Sequence, residues 1–319
     1  MDPDLVAPAL GLEVDGGAFR GARGAFRAGA RRGGAWGGSS RVHRSSDAVL
    51  RRRASLDRGT TGARLYRPRR RRRIAPSRSV LPADRNAELA AAINAVLPAE
   101  LPGRAAVVAG SARHAALLLD ANERLNLTRI TAPRELAVKH VLDSLLPWQR
   151  LIELFPVPSG AAATGAAAEA AAPTLLLDLG SGGGYPGIPL ALLLPHVRVL
   201  LCESIQKKAA FLAEVAAALP LRNVEVHARR AEELLPELAQ PVAAVTARAV
   251  DSARELLRLL KPARGRFGRL LLWKGQGVEL ELAQAAKDAE KQRLTAAIHW
   301  RGELPDDHAP RCLLEYLPA

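Results

Sequence analysis

Polar and apolar residues follow two different rhythms along the chain. From Ser111 to Leu125, and again from about Pro133 to Leu146, apolar residues recur every three or four positions, the period of a helix with one buried face. In the second stretch Ala137, Val138, Val141, Leu142 and Leu145 make the stripe, and Lys139, His140 and Asp143 fall on the opposite side. Pro147 ends or kinks that helix. Ala87 to Val96 also has helix-forming composition. Ser111 is the expected N-cap of its helix, with Pro102 and Gly110 breaking the chain ahead of it. From Thr174 onward, short continuous apolar runs alternate with helical stretches. The runs predict strands at about 175–179, 197–202, 224–227, 242–246, 269–273, 295–300 and 312–317. Helices are predicted at about 189–194, 205–219, 231–238, 252–260 and 277–292. Such alternation implies a mostly parallel sheet covered by helices on both faces. Only Arg301 to Arg311 separates the last two runs, which permits an antiparallel pair at one edge.

Four segments follow from this pattern. Residues 1–84 read as a disordered Arg/Gly-rich extension, without helical or strand period and with five consecutive arginines at 69–73. Residues 85–157 form a helical subdomain, 158–173 an Ala-rich linker, and 174–319 the main domain. For the extension three readings stand side by side: a solvated segment, an RNA-binding tail built on its Arg-Gly pairs and nearby aromatics, or a mis-assigned start, with the true one near Val80. A transit peptide fits less well, because Asp2 and Asp4 are acidic.

Charge sharpens this division. The net charge is +14, yet residues 1–85 carry 20 Lys/Arg against 7 Asp/Glu, and the rest carry 26 against 25. A nucleic acid bound by the main domain must therefore meet a local patch, not a global field. Two cysteines, Cys202 and Cys312, suggest no disulfide framework, and the seven histidines show no metal spacing. No apolar run reaches the ~20 residues that cross a bilayer. No secretory signal is evident either, so a cytoplasmic location is expected.

The most informative stretch runs from Asp178 to Ile188, DLGSGGGYPGI, between a predicted strand and a predicted helix. Glycines there let the backbone approach a ligand closely, and the helix start aims its N–H groups at the bound molecule. Glu203 stands 23 residues beyond Gly180, at the end of the next strand, where a carboxylate suits the hydroxyls of a ribose. Gly182 to Gly187 formally matches G-x-G-x-x-G of dinucleotide enzymes, but Pro186 falls where that helix should already be running. The spacing Asp178, Gly180, Gly182, Gly184 fits better the Asp-x-Gly-x-Gly-x-Gly of class I S-adenosylmethionine methyltransferases.

With its two prolines, Pro186 and Pro189, this stretch resembles the motif of the RsmG family, the guanine-N7 methyltransferases of small-subunit ribosomal RNA, once called glucose-inhibited division protein B. Asn126-Leu127-Thr128, Val138 to Ser144, Glu203-Ser204 with Lys207, Lys208, Phe211 and Leu212, Arg248-Ala249, and Leu272 to Gln276 resemble further blocks of that family in order. The likeness spans about residues 86–317. It implies a class I α/β fold, a Rossmann-like doubly wound and mostly parallel seven-stranded sheet with a small N-terminal helical domain. It also implies S-adenosylmethionine as cofactor, methyl transfer to N7 of a guanine, and 16S rRNA or the small ribosomal subunit as partner. By the same likeness Gly180 and Tyr185 line the cofactor pocket, Ala231 and Glu232 lie near the adenine, and Arg248 lies beside the methionine end. Tyr185 stands where the family usually has another bulky apolar residue.

Arg248 follows the fourth strand, where a guanidinium can hold a carboxylate bidentately. That strand end lacks the Asn/Asp-Pro-Pro-Tyr of amine methyltransferases, and neither cysteine is placed for attack on a pyrimidine. Guanine N7 has a lone pair and no proton, so no general base is required and none is assigned. His140 and Lys274 are candidate RNA contacts, with a solvated face standing as an equal account of His140. Two rival functions stand beside methyl transfer: an NAD(P)-dependent oxidoreductase, and a non-enzymatic RNA-binding protein.

Overall fold

Strands β1 (Leu175–Leu179), β2 (Arg198–Cys202), β3 (Val224–His227), β4 (Val242–Arg248), β5 (Phe267–Lys274), β6 (Leu294–Glu303) and β7 (Pro310–Pro318) form a single sheet in the order β3-β2-β1-β4-β5-β7-β6. The computed structural model describes residues 83–158, 173–219 and 221–319. The extension at 1–84, but for its last two residues, and the linker at 158–173, but for its ends, lie outside them. Strands β1 to β5 are parallel; β7 enters antiparallel between β5 and β6. The expected hairpin thus closes the sheet at one edge, since the chain from β6 to β7 is too short to cross over.

Every residue of β1 is buried, because helices cover both faces of the sheet. A fully buried leucine is worth about 1.5–3 kcal/mol over an exposed one, so the Leu175-Leu176-Leu177 run places β1 at the centre. Its neighbours are β2 and β4. Strand order reverses at the β1/β4 boundary, and such a switch point opens a crevice at the carboxyl ends of the strands.

Helices α6 (Gly187–Leu193), α7 (Gln206–Ala218), α8 (Ala231–Glu237), α9 (Ala253–Leu260) and α10 (Val278–Lys291) link the strands. Ahead of them lie α1 (Ala83–Val96), α2 (Arg104–Leu125), α3 (Pro133–Leu136), α4 (Asp143–Leu145) and α5 (Trp148–Leu154). One apolar cluster joins Leu89, Ile93, Leu118 and Val141 of the N-terminal helices to Leu176, Leu201 and Leu271 of the sheet. A second cluster fills the opposite face beneath α8, α9 and α10.

Three N-terminal expectations need correction. Helix α2 begins at Arg104, after Gly103 in the left-handed region at φ 61°, and Ser111 lies buried inside it rather than capping it. Gly110 does not break the helix. A side chain there would collide with Leu192 of α6, so Gly110 is a point of close helix approach. The stretch 133–146 is not one uniform helix: Ala137–Leu142 forms a π-helical segment between α3 and α4. A π turn carries an extra residue and displaces the side chains that follow. As a result Asp143, expected on the polar side, is buried. Helix α5, after Pro147, has no counterpart in the sequence pattern.

Candidate cofactor site

Asp178, the last residue but one of β1, is fully buried. Its Oδ2 accepts the Gly187 N–H at 3.2 Å and its Oδ1 accepts the Thr246 hydroxyl at 2.9 Å. Burial raises its pKa to about 6, against the lowering pull of those hydrogen bonds. Asp178 thus ties the end of β1 to the start of α6 and to β4. A side chain at Gly187 would strike Leu201 and the Asp178 carboxylate, which fixes a glycine where α6 meets the strand. Between these anchors the chain bends sharply. Gly180, Gly182 and Gly184 have φ of 68°, 53° and 96°, values that cost other residues roughly 1–2 kcal/mol. The Gly180 and Ser181 N–H groups both donate to the Cys202 carbonyl, at 2.9 and 3.2 Å.

Glu203 follows β2 and is 6% exposed. It accepts the Gly182 N–H at 3.0 Å and the Ile205 N–H at 2.8 Å. A carboxylate has about four lone-pair sites, so two remain for hydroxyl donors. Ala231 is buried at the first turn of α8, after β3. Glu232 beside it helps Asp178 and Glu203 push the Cys202 thiol up to about 12, after the larger effect of burial. Cys202 is therefore an inert core residue.

Tyr185 leaves the bend and enters a stack. Its ring lies 4.5 Å from His114 of α2 and 4.7 Å from His140 of the π segment, with the Arg248 guanidinium 5.5 Å from its centre. The Tyr185 hydroxyl is buried without a partner, and burial pushes its pKa well up. Both imidazoles are neutral. Burial lowers His114 to about 4, and burial with the Arg248 charge lowers His140 to about 3. His114 Nε2 donates to the Gly183 carbonyl at 2.8 Å, so α2 holds the bend from outside. His140 Nε2 shares a hydrogen bond with Thr128 Oγ1 at 2.8 Å.

Arg248 ends β4, where the sequence placed it, but it is engaged. Its Nη1 donates to Asp143 Oδ2 at 2.9 Å and to the carbonyls of Lys139 and His140 at 3.1 and 3.3 Å. Arg311 of β7 takes the other oxygen of Asp143 at 2.9 Å. Lys274, the other expected RNA contact, is paired within the protein. Its ammonium contacts Glu281 and the Asp251 carbonyl, each at 2.7 Å. The strands therefore bring Asp178, the three glycines, Tyr185, Glu203, Ala231, Glu232 and Arg248 to one end of the sheet; His140 joins them from the helical side, and Lys274 belongs to a separate ion pair. Sequence reasoning missed His114, Asp143 and Arg311 as parts of this site. Asp143 and Arg311 lie 168 positions apart, and no local pattern joins them. Among the described residues no group of three His, Cys, Asp or Glu side chains could hold a metal ion, and no helix is long and apolar enough to cross a membrane.

Comparison with known proteins agrees with this geometry. The family model described as rRNA small subunit methyltransferase G matches residues 110–299. The chain is 44% identical over 220 residues to a ribosomal RNA small subunit methyltransferase G of Solibacter usitatus, covering 69% of this chain and 95% of that protein. It is 45% identical over 190 residues to one of Sorangium cellulosum, covering 59% and 73%. The matched span holds the bend, Glu203 and Arg248 alike, and the chain belongs to the rRNA small subunit methyltransferase G family.

Proposed function

We propose that the protein transfers a methyl group from S-adenosylmethionine to N7 of a guanine in 16S rRNA, in the cytoplasm. One observation carries the cofactor reading: the Glu203 carboxylate, at the tip of β2, is hydrogen-bonded to Gly182 of the bend and keeps acceptor capacity for a ribose. The residues fit this cofactor in three further ways. Gly180 would let the backbone approach it, Ala231 and Glu232 would border the adenine side, and the orphaned Tyr185 hydroxyl and the Arg248 guanidinium would offer donors to the methionine end. When bound, the cofactor supplies an electrophilic methyl on a sulfonium cation.

A cationic cofactor sets an electrostatic demand on its surroundings. His114 and His140 meet it by staying neutral, with pKa values of about 4 and 3. Asp143 meets it by pairing with Arg248. His140, stacked on Tyr185 and only partly buried, would be the side chain to meet a base. Guanine N7 needs no base to remove a proton, so the protein contributes alignment, holding donor and acceptor in line and dry.

The reading is tested by incubating the protein with 16S rRNA and labelled S-adenosylmethionine and mapping the product by mass. One 7-methylguanine is expected. Methyl at another atom overturns the N7 assignment. Tight binding of NAD with none of S-adenosylhomocysteine would favour the oxidoreductase rival.

A further inference from the structure

Beside His140 the rim of the site carries four cations, Arg134, Lys139, Arg248 and Arg311, and four carboxylates, Glu135, Asp143, Asp306 and Asp307. The rim is neutral as it stands. Its inner part is fixed, since Asp143 and Arg248 are 9% and 12% exposed and hold each other at 2.9 Å. The outer part differs. Arg134 grips Asp306 with two hydrogen bonds, Nε to Oδ2 at 3.1 Å and Nη2 to Oδ1 at 2.8 Å, and both side chains are half exposed. Lys139 Nζ lies 2.9 Å from Glu135 and 3.7 Å from Asp307.

Asp306 and Asp307 come from the turn between β6 and β7. Leu304 anchors that turn: it is fully buried and its N–H donates to the Ala309 carbonyl at 2.9 Å. Asp306 has φ 80° and His308 φ 50°, left-handed conformations that most residues avoid. The turn thus uses an unfavourable backbone to present a carboxylate to an arginine 172 positions away.

We propose that Arg134 and Lys139 are phosphate contacts for the RNA substrate, and that Asp306 and Asp307 stand in for those phosphates in the free protein. A guanidinium fork accepts a carboxylate or a phosphate with the same two-bond geometry. Exposed ion pairs contribute little and are screened by salt, so a polyanion displaces them where it cannot displace the buried Asp143 pair. Freeing Arg134 needs only the Asp306 side chain to swing away, while Lys139 gives up Asp307 and its nearer partner Glu135 at 2.9 Å; the anchored turn stays. The exchange keeps Arg134 paired against stray anions and frees its guanidinium for a phosphate when RNA is seated. This inference rests on the rRNA reading above.

The test is a double-mutant cycle on the full chain. Binding of a 16S rRNA transcript is measured over a series of KCl concentrations for Asp306→Asn with Asp307→Asn, for Arg134→Gln, and for the combination. Removing the carboxylates should tighten binding by about three- to tenfold. It should also steepen the plot of log K against log salt by about one for each phosphate whose neutralisation no longer frees an aspartate. Most of that gain should vanish when Arg134→Gln is present. An equal gain with and without Arg134 would mean a general charge effect and would overturn the proposal. Methyl transfer to the same transcript is read in parallel. Transfer without coupling sinks the rim assignment alone, and coupling without transfer sinks the rRNA methylation reading alone.

Discussion

Two glycines of the bend separate backbone strain from steric conflict. Around Gly182 nothing but the Gly180 carbonyl, at 3.7 Å, stands within reach of an added Cβ. The cost of Gly182→Val is therefore conformational: a β-branched residue at φ 53° is a severe outlier. Gly184→Ala adds a collision, since its Cβ would lie 2.8 Å from His114 Nε2. Both variants should lose most affinity for S-adenosylhomocysteine by calorimetry, and Gly184→Ala should lose the more stability. Unchanged affinity in either would remove the bend from the cofactor site. His114 also sets a pH dependence. Its folded value of about 4 lies below the ordinary 6.5, so the native protein excludes a proton that the unfolded chain takes up. That contribution is whole above pH 6.5 and is lost as pH falls toward 4. His140, lowered to about 3, acts in the same sense, while Asp178, raised to about 6, acts oppositely. Two groups against one leave stability falling on acidification, by about 1.4 kcal/mol per pH unit for each net proton. In urea titrations at pH 7 and 5, His114→Phe should show a smaller drop than the parent; an equal drop would place the acid sensitivity elsewhere.

Elements differ in how openly the sequence declares them. Helix α9 declares itself fully: Ser252 caps it by accepting the Glu255 N–H at 3.2 Å, and Ala253, Leu256, Leu257 and Leu260 form its buried face. Ser252→Ala should cost about 1 kcal/mol in urea denaturation, and a cost near zero would deny the cap its role. All seven strands were legible because an apolar run between turn residues has few alternatives once its length is right. Their ends were less so, as β6 and β7 run on past their apolar residues into the hairpin. The π segment was invisible, since a 3.6-residue stripe and a π turn read alike over six residues. The glycine bend and Glu203 stood out by their spacing, whereas Tyr185, Ala231, Glu232 and Arg248 entered only through the family resemblance. Their partners were not legible: Asp143 binds Arg248 and Arg311 through topology, and Lys274 is claimed by Glu281.

For the whole molecule, the surplus charge and the described elements belong to different parts of the chain. The surplus of basic residues sits in 1–85, and residues 86–319 are nearly neutral. Both apolar clusters lie within the described residues from Leu89 onward. Deleting residues 1–82 should therefore leave the turnover of rRNA methylation within about twofold while flattening the salt dependence of RNA binding. Loss of all methyl transfer on that deletion would return the activity to the extension. The grip of α2 on the bend has one more consequence. The His114 imidazole and the Leu118 side chain both abut Gly183, so anything that quiets the bend also quiets the helix behind it. Amide hydrogens along the middle of α2 would then exchange with deuterium more slowly on cofactor addition, a tremor-sensor one element behind the bend.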